Sequence, residues 1–416
     1  MSLPVLMVFS PLRWDFVHQR PQQLLSRLAG RWQVLYVEEP VNAPADTAPW
    51  LEVSERGAAL SVLVPHLPSQ AAPGSTGPAS PGADGGRDPA SCAGALHALL
   101  VRHLRTLGAA APRVSWLYTP RWLPLARALQ ADALVYDCLD RPRAGAGTRQ
   151  LDDEAALLRE AMVVLTAGPT LYEALHARHP RVVCLPSAVD ALHFAATQLR
   201  RGSAQDLQAQ RLQGDLPSPR LGYFGVIDER LDFELLDTLA ASRPDWTVLM
   251  AGPVTLREPA RLPRRPNLHW LGPQPYARLP YLLADWDLCL VPFAQGEATR
   301  YINPTKTLEY MAGDKPVVST PVPDVMALYG EAVAVASTPE QFVRQCAGLL
   351  GEHPAARCRR AIEMLNIVSM HSWDRSADSV HQLLTQALTP ARPAPIVAAG
   401  LQLTTGRLSS TSAAAA

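Results

Sequence analysis

Residues Pro292 to Thr320 read PFAQGEATRYINPTKTLEYMAGDKPVVST, and the way this stretch divides decides the architecture. Asn303 followed by Pro304 has the form of an N-cap and a first-turn proline, so a helix is expected to begin there. Gly313 stops it, and Val317 to Thr320 has the length and branching of a buried strand. The apolar run Leu288 to Pro292 ahead of it is another. Strand, helix and strand in so short a span are the repeating unit of a parallel sheet, in which crossover helices join the strands.

The same grammar extends in both directions. Short apolar runs recur at Val5 to Phe9, Val34 to Val37, Val114 to Tyr118, Ala133 to Tyr136, Val163 to Thr166 and Val182 to Leu185. They resume at Leu221 to Phe224, Thr247 to Ala251 and Leu268 to Leu271, with amphipathic stretches between most of them. The polar region from about 195 to 217 lacks strand character and separates the two series. The expected fold class is therefore α/β: two doubly wound, Rossmann-like domains facing across a cleft, spanning 1–200 and 215–388. Residues 69–92, rich in proline and glycine, read as a flexible insertion, and 389–416 as a disordered tail.

Composition narrows the function classes. The chain has 416 residues, and its 38 basic side chains balance 38 acidic ones, so no global field draws it to nucleic acid or to an anionic membrane. No apolar run is long enough to span a bilayer, so any contact with a membrane is expected to be peripheral. Leu3 to Phe9 reads as a first strand rather than a signal. The six scattered cysteines read as reduced, mostly core thiols of a cytoplasmic protein, without zinc-ligand spacing. The basic set is almost all arginine; the only two lysines are Lys306 and Lys315, where a compact ammonium has not been replaced by a planar fork.

In such sheets ligands bind outside the carboxyl ends of the strands. The helix beginning near Asn303 offers free N–H groups there, Lys306 adds a point charge, and the Thr305 and Thr307 hydroxyls can bond phosphate oxygens. Glu309 lies on nearly the same face as Thr305, where a carboxylate can accept both hydroxyls of a ribose diol. The spacing alone fits equally a capped surface helix with a Lys306–Glu309 ion pair. In the first half, Arg13, Trp14, Asp15, His18 and Arg20 follow the first strand and would suit an acceptor or a sugar phosphate; the alternative is a helix start with Trp14 packed inward.

The pattern KTLEYMAGDKPVVST at Lys306 to Thr320 resembles the donor-nucleotide motif of retaining GT-B-fold glycosyltransferases, family four or group 1. FSPLRWDF from Phe9, QRPQ from Gln19, YDCLD from Tyr136 and GYFGVIDER from Gly222 are similar to the branch found in bacterial envelope and exopolysaccharide gene clusters. The resemblance implies a nucleotide diphosphate sugar as donor substrate, no cofactor or metal, and a glycan or lipid-linked acceptor. It implies that Glu309 holds the ribose, and that the loop from Gly225 carries Arg230 to the diphosphate beside Lys306. The family's first motif glutamate falls at Tyr301, leaving Glu297 or Asn303 to hold the sugar. Asp137, where many relatives carry a cleft histidine, becomes a contact for the reacting groups, with a turn-capping role alongside Asp140 as its alternative. Retention would follow from same-face attack, with the leaving phosphate accepting the acceptor proton. An epimerase of the same fold and a binding domain without turnover are the rival readings.

Three features are set aside as structural. Asp285-Trp286-Asp287 spells a metal-binding D-x-D but precedes its strand. His176 and His179 read as surface histidines, and Gly145-Ala146-Gly147 as loop.

Overall fold

The computed structural model describes residues 3–69, 88–108, 111–141, 148–195, 201–256 and 258–389. The greater part of the expected insertion, nearly all of the expected tail and the Gly145 to Gly147 loop lie outside the described residues. The strands are β1 (Val5–Phe9), β2 (Gln33–Val37), β3 (Val41–Ala43), β4 (Trp50–Gly57), β5 (Leu60–Pro68), β6 (Arg113–Leu117), β7 (Ala133–Cys138), β8 (Val163–Thr166) and β9 (Val182–Cys184) in the first half. The second half has β10 (Arg220–Phe224), β11 (Thr247–Ala251), β12 (Leu268–Gly272), β13 (Leu288–Val291), β14 (Val317–Ser319) and β15 (Ala334–Val335).

The first sheet has the order β3-β5-β2-β1-β6-β7-β8-β9, with β4 added antiparallel to β5. The second runs β12-β11-β10-β13-β14-β15, with every pairing parallel. The chain switches from one side of the sheet to the other between neighbours β1 and β6 in the first sheet and between β10 and β13 in the second. The chain leaves β1 and β6, and β10 and β13, on opposite sides of the sheet, and this opens a crevice at their carboxyl ends. Within Val41 to Pro68, β4 is largely exposed and carries charge rather than an apolar run, whereas β5 is apolar and mostly buried and has the strand signal that the expected series lacks.

Strand β10 shows how local residues permit the packing. A Cβ on Gly222 would lie 2.0 Å from the Trp286 ring, so only glycine lets that indole lie flat on the sheet. Trp286 is buried and donates Nε1–H to Gln213 Oε1 at 2.7 Å. Cys92, Cys138, Cys289 and Cys346 are buried free thiols, as expected.

The expected division of the chain needs two corrections. Val189 and Phe194 pack in the core of the second sheet, so the chain changes units just after Ala188 rather than near residue 200. The helix Trp373–Leu388 does not belong with residues 215–370. Its Trp373, Ala377, Val380 and Leu384 join Leu24, Leu28 and Trp32 on the first sheet, and Trp32 Nε1 donates to His381 Nδ1 at 3.1 Å. The apolar stripe of this helix matches the face left bare by helix Arg20–Leu28, a fit invisible to a reading made segment by segment. Replacing Trp373 with Ala is expected to cost about 3–5 kcal/mol. In hydrogen exchange by mass spectrometry, amides of Leu24 to Leu28 and Trp32 should lose protection while those of β10 to β13 keep theirs.

Candidate active site

The carboxyl ends of the two sheets face one another across a cleft of 1560 Å³. On the second-sheet side, β10 ends at Phe224, whose N–H donates to Tyr310 Oη at 3.0 Å. Gly225 follows with φ 145° and Gly252, after β11, with φ 148°. A Cβ on Gly252 would sit 1.8 Å from the Gly225 carbonyl oxygen, and one on Gly225 would sit 2.8 Å from Lys306 Cε. The two strand ends are thus pressed together beneath the lysine stem, which no other residue type would allow.

Lys306 opens helix Lys306–Ala312, with Thr305 as its N-cap. The helix begins after the expected Asn303–Pro304 start because Asn303 is drawn into other bonds. Lys306 Nζ lies 5.2 Å from the Phe293 ring centre and 5.3 Å from that of Tyr223, a cation–π arrangement. Burial and the nearby Arg230 push its ammonium well below the ordinary lysine range, against the pull of Glu309 and Asp228. One turn on, Glu309 is 8% exposed, and burial raises its carboxyl above the usual range while Lys306 opposes the shift. Among the described residues no hydrogen bond occupies the Glu309 carboxylate. Arg230 reaches the cleft with Nε and one Nη held by Asp228 at 3.0 and 2.6 Å.

Three expected donor contacts are corrected. Glu297 has a 57% exposed side chain beside Arg300 and does not line the cleft. Thr307 is fully buried, its Oγ1 without a hydrogen-bond partner among the described residues, because it lies on the core face of the helix. Asn303 lines the cleft, but its amide is committed to Asp324 and Ser187. Thr305 stays at the cleft wall and donates to Ser187 Oγ at 3.0 Å. Tyr301, at the place of the family's first glutamate, packs against the core of the first sheet with Arg141 over its ring at 5.8 Å.

On the first-sheet side, Asp137 is corrected as well. It is fully buried, and both oxygens accept from Arg20, Nε at 3.1 Å and Nη2 at 3.0 Å, while Arg20 Nη1 donates to the Leu185 carbonyl. Neither carboxylate oxygen is open to a substrate. Asp140, three residues on, lines the cleft instead, close enough to Arg230 to interact with its charge. Arg13 turns away to Glu38 and the Glu39 carbonyl, at 2.8 and 2.7 Å. Trp14 lines the cleft edge-on to Tyr36, and Asp15, also at the wall, pairs with Arg56. His18 stacks on Tyr276 with ring centres 4.2 Å apart, and His193 covers the other face at 4.3 Å. Burial, with His193 and Arg27 nearby, lowers His18 to about 4, so its imidazole is neutral at ordinary pH. Tyr276 and Ser187 lie outside the motif, and only the fold brings them to the cleft, where His193 backs the Tyr276 ring.

The other features set aside behave as follows. Asp285 pairs with Arg201, and Asp287 accepts the Arg220 N–H at 2.7 Å, both at the amino edge of the sheet. His176 is on the surface, but His179 is buried, its Nε2 2.9 Å from the Ala161 carbonyl, which corrects its expected exposure. Gly225→Ala should destabilise the protein by about 1–3 kcal/mol through its backbone conformation. Gly296→Ala, in extended backbone with open space around it, is the near-neutral control; urea unfolding compares the two.

Residues 218–352 match the family model described as Glycosyl transferases group 1. Over 142 residues the chain is 31% identical to the putative teichuronic acid biosynthesis glycosyltransferase TuaH of Bacillus subtilis (strain 168), covering 32% of this chain and 35% of that protein. The match thus spans about a third of the relative's length. Among solved structures, sucrose-phosphate synthase from Thermosynechococcus elongatus aligns with TM-score 0.68 at 16% identity, over 92% of this chain and 98% of that one. A UDP-forming alpha,alpha-trehalose-phosphate synthase from Burkholderia xenovorans, in complex with glucose-6-phosphate, gives 0.65 at 12%, over 92% and 100%. An E. coli structure described as trehalose-6-phosphate bound with UDP-2-fluoro glucose gives 0.67 at 12%, over 93% and 99%. At these identities the likeness is one of fold, and the fold is GT-B. Residues 218–352 are therefore similar to the glycosyl transferases group 1 family, and the chain as a whole has a GT-B architecture.

Proposed function

We propose that the protein transfers a sugar from a nucleoside diphosphate sugar to the hydroxyl of a glycan or lipid-linked acceptor, in assembly of an envelope or exported polysaccharide. The observation that carries this reading is a lysine and a carboxylate one helical turn apart at the switch point of the second sheet, both facing the cleft. In this reading Lys306 and Arg230 neutralise the charge that grows on the leaving diphosphate, and Glu309 accepts the ribose hydroxyls. The first sheet presents the acceptor from the opposite wall, with Asp140 rather than Asp137 nearest the reacting groups. Transfer proceeds with retention, the leaving phosphate taking the acceptor proton, so no protein nucleophile and no metal is called for. The envelope assignment rests on the likeness to the teichuronic acid relative. Among the described residues no helix is long and apolar enough to cross a membrane, and the proposed place of work is the cytoplasmic face of the inner membrane, with peripheral contact.

Tyr301 favours a second reading, a domain that binds nucleotide sugar without turnover, since its side chain leaves the cleft lacking the family's first glutamate. Donor consumption that requires acceptor supports the transferase; consumption without acceptor indicates an epimerase; binding alone supports the second reading.

A thermal-shift screen against UDP, GDP, ADP, TDP and CMP should give a selective rise for one nucleoside diphosphate that is lost in Glu309→Ala. UDP heads the series because UDP-2-fluoro glucose is bound in one of the solved neighbours. No shift for any of them at millimolar concentration would overturn the donor site.

The same site has a pH signature. Lys306 is depressed in the free protein, and a bound diphosphate restores its charge, so binding should take up protons on the alkaline side and weaken as pH rises. Calorimetry in two buffers of different ionisation enthalpy measures the uptake, which Lys306→Met should abolish.

A further inference from the structure

Asp324 opens helix Pro323–Tyr329 of the second unit, is fully buried and does not line the cleft. One carboxylate oxygen accepts the Thr170 N–H at 3.0 Å and the Thr170 hydroxyl at 2.7 Å, at the start of helix Pro169–Leu175 in the first unit. The N-cap of that helix, Gly168, has no side chain to offer. A Cβ there would fall 1.7 Å from Asp324 Oδ2, so the glycine admits a cap supplied from the other unit.

The second oxygen accepts Asn303 Nδ2 at 3.1 Å. Asn303 Oδ1 in turn accepts the Ser187 N–H at 3.2 Å, and its carbonyl accepts Ser187 Oγ at 3.1 Å. Thr305 closes the chain with its bond to Ser187 Oγ. The segment that delivers Lys306 is thus tied on both sides to atoms outside its own helix. Three donors converge on the two oxygens of Asp324, a demand that a carboxylate meets and a carboxamide does not.

We propose that Asp324 is a positioning residue for the cleft, fixing through Asn303 and Ser187 the segment that aims Lys306 and Glu309. Its consequence for nucleotide binding rests on the donor-site reading above; its geometric content does not.

The test uses the scarcity of lysine. With only Lys306 and Lys315 in the chain, reductive methylation with ¹³C-formaldehyde gives two lysine signals by NMR, besides the amino terminus. Lys306 reports the cleft, faced by Arg230, Glu309 and Asp228. Lys315, whose Nζ donates to the Ala284 and Trp286 carbonyls at 2.8 and 2.7 Å, is the internal reference.

Asp324→Asn sets one amide against another at Asn303 and should move the Lys306 titration toward the ordinary lysine range while Lys315 stays in place. UDP affinity of the unmethylated protein should fall on the order of tenfold. Ser187→Ala, which removes only the hydroxyl bonds to Asn303 and Thr305, should shift Lys306 the same way if Asp324→Asn does not fold. A variant that melts at lower temperature with Lys306 unmoved, or with Lys315 moved as far, would overturn the proposal. Should the wild type bind no nucleoside diphosphate while Lys306 still responds, the positioning stands and the donor-site reading fails.

Discussion

Parallel strands cannot be joined by a tight turn, and every crossover returns the chain to the same edge of its sheet. That constraint sets out the rest of the molecule. All strand-end loops of one sheet lie together, the chain switches sides between β1 and β6 and between β10 and β13, and the crevices opened there face each other. The residues that line the cleft come from Ser10 to Glu309 in sequence, yet most of them follow the carboxyl ends of strands in the two sheets.

Within the cleft the governing balance is between burial and charge. A lone buried ammonium or carboxylate would give up its charge, but Lys306 and Glu309 each hold the other's against the cost of leaving water. Neither is closed by a hydrogen bond among the described residues, in contrast to Asp137, both of whose oxygens accept from Arg20, while Arg20 Nη1 donates to the Leu185 carbonyl. The first pair is poised for a ligand carrying phosphate and hydroxyl groups; the second is framework. Lys315 shows the same residue type in a structural role, its ammonium spent on two carbonyls at the end of helix Leu279–Ala284.

The two units are joined by more than a linker. The chain crosses after Ala188 and again at Ser372, and the two crossings run side by side through the Val189–Ser372 bridge. Tyr276, from the second unit, lies between His18 of the first and His193 of the crossover, and its hydroxyl accepts from Gln23 Nε2 at 2.9 Å. Tyr301 and the Asp324 cap add contacts on the other side of the donor helix. The donor-side loops are therefore held relative to both sheets.

Much of this was legible from residue order. Apolar runs of strand length alternating with amphipathic stretches specify a doubly wound sheet, because a strand buried on both faces must be apolar throughout. Lys306 and Glu309 could be named from helical periodicity without long-range information, and the resemblance to the glycosyltransferase family added Gly225 and Arg230 in the loop after a strand. The destinations of Asp137, Thr307, Glu297, Arg13 and Asn303 could not. Each is a polar side chain whose neighbours are distant in sequence, and whether it meets solvent, a substrate or a partner is decided by what packs on it. The same holds for helix Trp373–Leu388: its amphipathic pattern states that one face must be buried, while only the tertiary structure, by leaving the face beside helix Arg20–Leu28 uncovered, decides where.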